Sequence, residues 1–190
     1  LDARELNISR ERGPFFNYQR YFVLHHTEFS AAEFPSQFDI VNRYHRDQFR
    51  EDPSVLGWNI GYTLFCERDG TLIQARLIGE KSAAQLGHNY DSISLCFAGD
   101  YDNEYLTKAQ VETLREVLLV FQDYEFMFHR EIAGDDRSCP GWHITRKGIN
   151  ALMREEWVAK QATIYERNHP KKKILRIGKS IKRHPRRLAY

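Results

Sequence analysis

Short apolar runs, too brief for helices and separated by one long helical stripe, set the terms on which this chain can fold. Tyr21-Phe22-Val23-Leu24, residues 93–98 and Phe126-Met127-Phe128 are apolar or nearly so and bounded by polar residues. That is the pattern of strands buried on both faces. Val111, Leu114, Leu118 and Phe121 instead recur at helical spacing, with Thr107 and Gln110 forming a capping box at the start. Residues 36–50 read as a further helix, with Ser36 and Asp39 as its capping pair and Asp52-Pro53 as its break. Residues 60–67 and 71–74 flank the turn residues Arg68-Asp69-Gly70, a hairpin pattern. A last helix is expected over residues 146–157. The alternation predicts an α/β domain, a mixed central β-sheet flanked by helices.

Length and charge divide the chain further. Its 190 residues suit one domain with an appendage. Its 12 Phe, 10 Tyr and 3 Trp can fill a core, and no run approaches the ~18 apolar residues of a membrane-spanning helix. Residues 158–190 hold 11 of the 28 Lys and Arg but one of the 26 acids, Glu166. The expected division is a lead-in over 1–20, a domain over 21–157 and a basic extension over 158–190. Such an extension attracts polyanions: nucleic acid, anionic lipid or acidic wall polymers. Three cysteines, Cys66, Cys96 and Cys139, are not a disulfide framework and point to a reducing compartment. No signal-peptide pattern is present, which points to cytoplasmic synthesis; the start at Leu1 leaves export of a trimmed precursor open.

Two expected strands end in histidine, Leu24-His25 and Phe128-His129, and Cys139 follows in a Gly/Asp loop. Strand ends place side chains at the rim of a sheet. Two imidazoles and a thiolate suit zinc and leave its fourth position open, which is the ligand count of a catalytic site. His25 and His26 are adjacent on a strand and point to opposite faces, so His26 is read as packed or solvated. His45 is read as structural, His143 as a surface or cleft residue, and Cys66 and Cys96 as buried hydrophobes.

Several stretches, in order, resemble the zinc-dependent N-acetylmuramoyl-L-alanine amidases of the phage-lysozyme and peptidoglycan-recognition-protein type. They are Val23-Leu24-His25-His26-Thr27, Trp58-Asn59-Ile60-Gly61-Tyr62, Arg68-Asp69-Gly70-Thr71, residues 89–99, Leu106-Thr107-Lys108-Ala109-Gln110, His129-Arg130-Glu131-Ile132 and Cys139-Pro140-Gly141. The resemblance implies a hydrolase that cuts the amide between N-acetylmuramic acid and L-alanine in peptidoglycan or muropeptides. His25, His129 and Cys139 would hold Zn2+. Tyr62 would hydrogen-bond the attacking water or the oxyanion, and Arg137, where many members carry lysine, would stabilise the oxyanion electrostatically.

The chain departs from that pattern in places. Thr63 stands where His or Asn is usual. A planar guanidinium at Arg137 is not equivalent to an ammonium. The loop before Cys139 is longer than in phage lysozymes and carries Asp135 and Asp136, candidate partners of Arg137. The family's histidine is missing from Ala83-Ala84-Gln85-Leu86-Gly87. His88 is the candidate to replace it, with Asn89 and Thr63 as further substrate contacts. The expected activity is lytic and endolysin-like, with the basic arm on an anionic wall or membrane surface. A non-catalytic peptidoglycan-recognition protein on the same fold is the alternative, and a nucleic-acid-associated protein is a third reading.

Overall fold

Strand β1 (Tyr21–His26) is buried along its whole length and paired on both edges. In the computed structural model, which describes residues 6–30, 32–49, 53–134 and 137–170, it lies in a five-stranded sheet. The other strands are β2 (Leu64–Cys66), β3 (Leu72–Gln74), β4 (Ser92–Phe97) and β5 (Glu125–Phe128), in the order β3-β2-β4-β1-β5. β1, β2, β4 and β5 run parallel, and β3 is antiparallel to β2. This is the expected mixed sheet. Hydrophobic strands without an exposed face need cover on both sides. Helix α2 (Lys108–Val120) covers one face, burying Leu114, Val117 and Leu118 against Phe22, Leu24, Leu95 and Phe97. Helix α1 (Phe38–Tyr44) covers the other, with Phe38 and Val41 packed on Phe65 and Cys96. Short helices α3 (His129–Ala133) and α4 (Arg146–Leu152) follow β5, and α5 (Glu155–Asn168) ends the described chain.

The Thr107 capping box forms as expected, and so does the hairpin, whose Asp69 carboxylate accepts from the Thr71 amide at 2.8 Å. Four expectations are corrected, three of them before residue 100. Strand pairing begins only at Leu64 because Thr63 and Ser94 exchange side-chain-to-amide bonds of 3.1 and 3.2 Å there. The helix from residue 36 is not capped by Ser36 and Asp39. Buried Glu67, beyond β2, accepts from the Gln37 and Phe38 amides at 2.9 and 2.7 Å and from Ser36 Oγ at 3.1 Å. A distant carboxylate thus satisfies the exposed donors and opposes the positive end of α1. The α-helix also stops at Tyr44 and continues as a π-turn over His45–Phe49.

The last helix is broken at Met153 and Arg154, both extended, and resumes through Asn168 rather than ending at Trp157. Its two parts together seal the open edge of β5. Gln161 Oε1 accepts from the Phe126 amide at 2.9 Å, Arg146 donates to the Phe126 carbonyl at 3.0 Å, and Trp157 packs on the Phe126 ring. Asn168 and His169 close on the buried Glu125 carboxylate at 2.8 and 2.9 Å. The lead-in is tied to the body through a Gly13 amide bond to the Ile78 carbonyl. Residues 171–190 of the basic extension lie outside the described residues, as do Asp52, Asp135 and Asp136. Glu67→Ala is expected to lower stability by about 2–3 kcal/mol, the cost of stranding buried donors that faced a charged acceptor; urea denaturation checks it.

Candidate metal centre and cleft

Strand register places the two histidines. Leu24 on β1 is level with Phe128 on β5, so the next residues, His25 and His129, lie side by side. Neighbouring strands run about 4.8 Å apart, and the two imidazole centroids are 4.5 Å apart. Both rings are buried.

Cys139 comes from a loop, which needs its own support. Arg130, next to His129, donates to the carbonyls of Ser138, Gly141 and Ile144 at 2.7, 3.1 and 2.8 Å. Its amide donates to the Cys139 carbonyl at 2.9 Å. The Asp102 carboxylate accepts from Ser138 Oγ at 2.5 Å and from the Trp142 amide at 2.9 Å. Gly141 has φ +100°, and a Cβ there would stand 2.4 Å from the Tyr101 carbonyl carbon. Only glycine lets the loop cross Tyr101. Cys139 Sγ is thereby held 3.8 Å from His25 Nδ1, and the ligand atoms of His25, His129 and Cys139 lie within 4.8 Å of one another.

These residues fit a zinc ion. Tetrahedral zinc with Zn–S of about 2.3 Å and Zn–N of about 2.0–2.1 Å separates S from N by about 3.6 Å, close to the spacing seen. Burial, reinforced by His129, pushes the His25 pKa well below its ordinary value, so the imidazole is neutral with a lone pair to give. Burial pushes the Cys139 thiol up to about 12, with Arg130 and Arg137 opposing. His25 and Cys139 are therefore both held in their uncharged forms, which suits side chains this deeply buried.

The cluster opens into a cleft of about 460 Å³ whose lining includes Glu28, Tyr44, His45, Tyr62, Ala84 and Arg137. The Tyr62 ring lies 5.2 Å from His25 and 5.4 Å from His45. Burial, then the neighbouring Cys96 and Cys139, raises the Tyr62 pKa well above its usual value. The phenol is therefore a hydrogen-bond donor and not a base. His45 accepts the Gly61 amide at Nδ1, 2.8 Å, and burial lowers its pKa to about 4.

Three expected substrate contacts, Thr63, Asn89 and His88, do not line this cleft. Thr63 has no exposed surface and is spent on Ser94. Asn89 Oδ1 accepts the Ala84 and Gln85 amides at 3.0 and 2.9 Å, bracing the cleft wall from behind. His88 pairs with Asp91 at 3.1 Å, packs edge-on to Tyr21 and does not line the cleft. His26 is buried, its Nδ1 accepting the Tyr101 amide at 3.2 Å. His143 bonds the Glu104 carbonyl at 2.7 Å and stacks on Tyr105.

Two residues escaped the sequence reading. Glu28 reaches the cleft from a left-handed backbone position, φ +61°, uncommon for a residue other than glycine. Gln85 accepts from His25 Nε2 at 3.0 Å. Neither follows from spacing, because each depends on how a loop folds back over a strand end.

Fold and site together define a class: a mixed α/β domain with a His-His-Cys cluster at the rim of its sheet, beneath an open cleft. The chain belongs to the N-acetylmuramoyl-L-alanine amidase family, whose model matches residues 16–142. It is 29% identical to peptidoglycan-recognition protein SC2 of Drosophila melanogaster over 140 residues, 67% of this chain and 71% of that protein. It is 28% identical to the endolysin of Escherichia phage T7 over 116 residues, 56% of this chain and 70% of that protein. Among solved structures, N-acetylmuramoyl-L-alanine amidase LysC from Clostridium intestinale shares the fold with a TM-score of 0.57 at 21% identity, covering 72% of this chain and 86% of that one.

The low His45 pKa sets a pH dependence. The unfolded imidazole binds a proton near pH 6.5 and the folded one only near 4. Stability from this residue is therefore full above pH 6.5 and is lost as the pH falls towards 4. His45→Asn, which keeps an acceptor for Gly61, is expected to reduce that loss by about 3 kcal/mol. Urea midpoints at pH 7 and 4 for both proteins measure it.

Proposed function

We propose that this protein is a zinc-dependent peptidoglycan hydrolase that cleaves the amide between N-acetylmuramic acid and L-alanine, in a lytic, endolysin-like role. The observation that carries the reading is the intact set of His25, His129 and Cys139 around one point, facing a cleft that also holds Tyr62 and Arg137. His25, His129 and Cys139 would hold zinc, which would supply Lewis-acid chemistry for polarising a carbonyl and activating water near neutral pH.

The remaining work falls to the chain's own groups. Tyr62, kept protonated by its surroundings, donates a hydrogen bond to the oxygen on which negative charge develops. Arg137, exposed on the same cleft, adds a fixed positive charge towards that oxygen and orients the substrate. Val41, Tyr44 and His45 on the α1 side, with Ala83 and Ala84 opposite, form walls that take the sugar–peptide junction. The basic residues beyond Pro170 serve attachment to an anionic wall or membrane surface.

Cys139→Ala is expected to lose zinc and to stop release of L-alanine-terminated stem peptides from purified wall, followed by mass spectrometry. Tyr62→Phe is expected to keep zinc and lose about 10²–10³ in kcat. A native protein that retains muropeptides without freeing new amino groups would instead be a recognition protein. Ending the chain after Pro170 is expected to preserve cleavage of soluble muropeptides and weaken association with intact wall, most visibly at low salt. Co-sedimentation with wall at two ionic strengths checks this.

A further inference from the structure

We infer that Gln85 is a positioning residue that fixes the tautomer of His25 and so aims its Nδ1 lone pair at the point shared with His129 and Cys139. The inference rests on the zinc reading above and adds the group that prepares the ligand. One acceptor in the network has a fixed role. The His88 carbonyl can only accept, so Ser92 Oγ donates to it. Ser92 Oγ then has lone pairs left for Gln85, and it accepts from Gln85 Nε2. The amide orientation of Gln85 is thereby set, with Oε1 facing His25 Nε2 at 3.0 Å. An amide oxygen can only accept, so the His25 proton sits on Nε2 and Nδ1 is bare. Nδ1 is the atom 3.8 Å from Cys139 Sγ.

Burial holds this hydrogen-bond network in one arrangement. Gln85 is 2% exposed and Ser92 fully buried, so these bonds are not exchanged freely with bulk water. The opposite tautomer would set an oxygen against a bare Nε2 and put a proton where a metal ligand must be. The loop is also fixed in place. The Gln85 amide donates to Asn89 Oδ1 at 2.9 Å, and the Ala83 amide to the Gly61 carbonyl at 2.8 Å. A Cβ on Gly61 would meet the Ala83 carbonyl oxygen at 2.6 Å, so this close approach requires glycine.

The test compares the native protein with Gln85→Leu and Gln85→Glu. Long-range proton–nitrogen correlation spectra of the metal-free proteins report the His25 tautomer, and competition with a chelator reports affinity for zinc ion. The native protein is expected to show the Nε2–H form alone. Gln85→Leu is expected to mix the two forms and to bind zinc about 10- to 100-fold more weakly, and Gln85→Glu, which restores an acceptor, to recover both. A folded Gln85→Leu protein with unchanged tautomer and affinity overturns the inference. Should that variant not fold, Ser92→Ala frees the Gln85 amide to flip, and the same shift is expected. A native protein that binds no zinc, while Gln85→Leu still disturbs the tautomer, upholds the role of Gln85 and defeats the zinc reading instead.

Discussion

Both imidazoles at the site depend on the register of one central strand. β1 is hydrogen-bonded on both sides, to β4 with His25 opposite Cys96 and to β5 with Leu24 opposite Phe128. Shifting either pairing by one residue would reverse which side chains face which layer, sending His25 towards α2 and its aliphatic core. Full burial of β1 and β4 makes such a shift costly, since apolar and polar positions would trade places along the sheet. The two imidazoles therefore inherit their separation from the sheet itself.

The thiol has no such inheritance, and the chain supports it by other means. Arg130 spans three carbonyls around the Cys139 turn, Asp102 ties both sides of it, and Gly141 lets it pass close to Tyr101. Because Arg130 directly follows His129, one segment carries a candidate ligand and the brace for another. The outcome is a buried polar cluster with its geometry fixed by backbone on one side and by a cation on the other. The uncharged forms of His25 and Cys139, from a depressed imidazole and a raised thiol pKa, keep the cost of burying those two groups low.

The parts legible in the sequence are those with a local physical signature. Continuous apolar runs marked β1, β4 and β5, Thr107 and Gln110 marked the start of α2, and the histidines at strand ends marked the rim. What was not legible depends on partners far along the chain. The cap of α1 is Glu67, 30 residues from Gln37, and no window around Ser36 reveals it. Thr63, His88 and Asn89 lie beside the motif and looked like substrate contacts, yet each is committed to the protein's own framework. A polar side chain turned inward and one turned outward have the same appearance in sequence. The break at Met153 was hidden because apolar spacing continues through it to Trp157.

The helices after residue 142 lie beyond the family match, yet they are what terminates the sheet. Gln161 and Arg146 occupy the donor and acceptor that β5 would otherwise offer to a sixth strand. A free edge of this kind templates pairing with any extended chain nearby. A fragment cut to the family limits would keep every candidate metal ligand and still be a poor protein, sticking to its copies strand against strand. The segment shared with relatives is thus a chemical unit, whereas the unit with a covered β5 edge extends through Asn168.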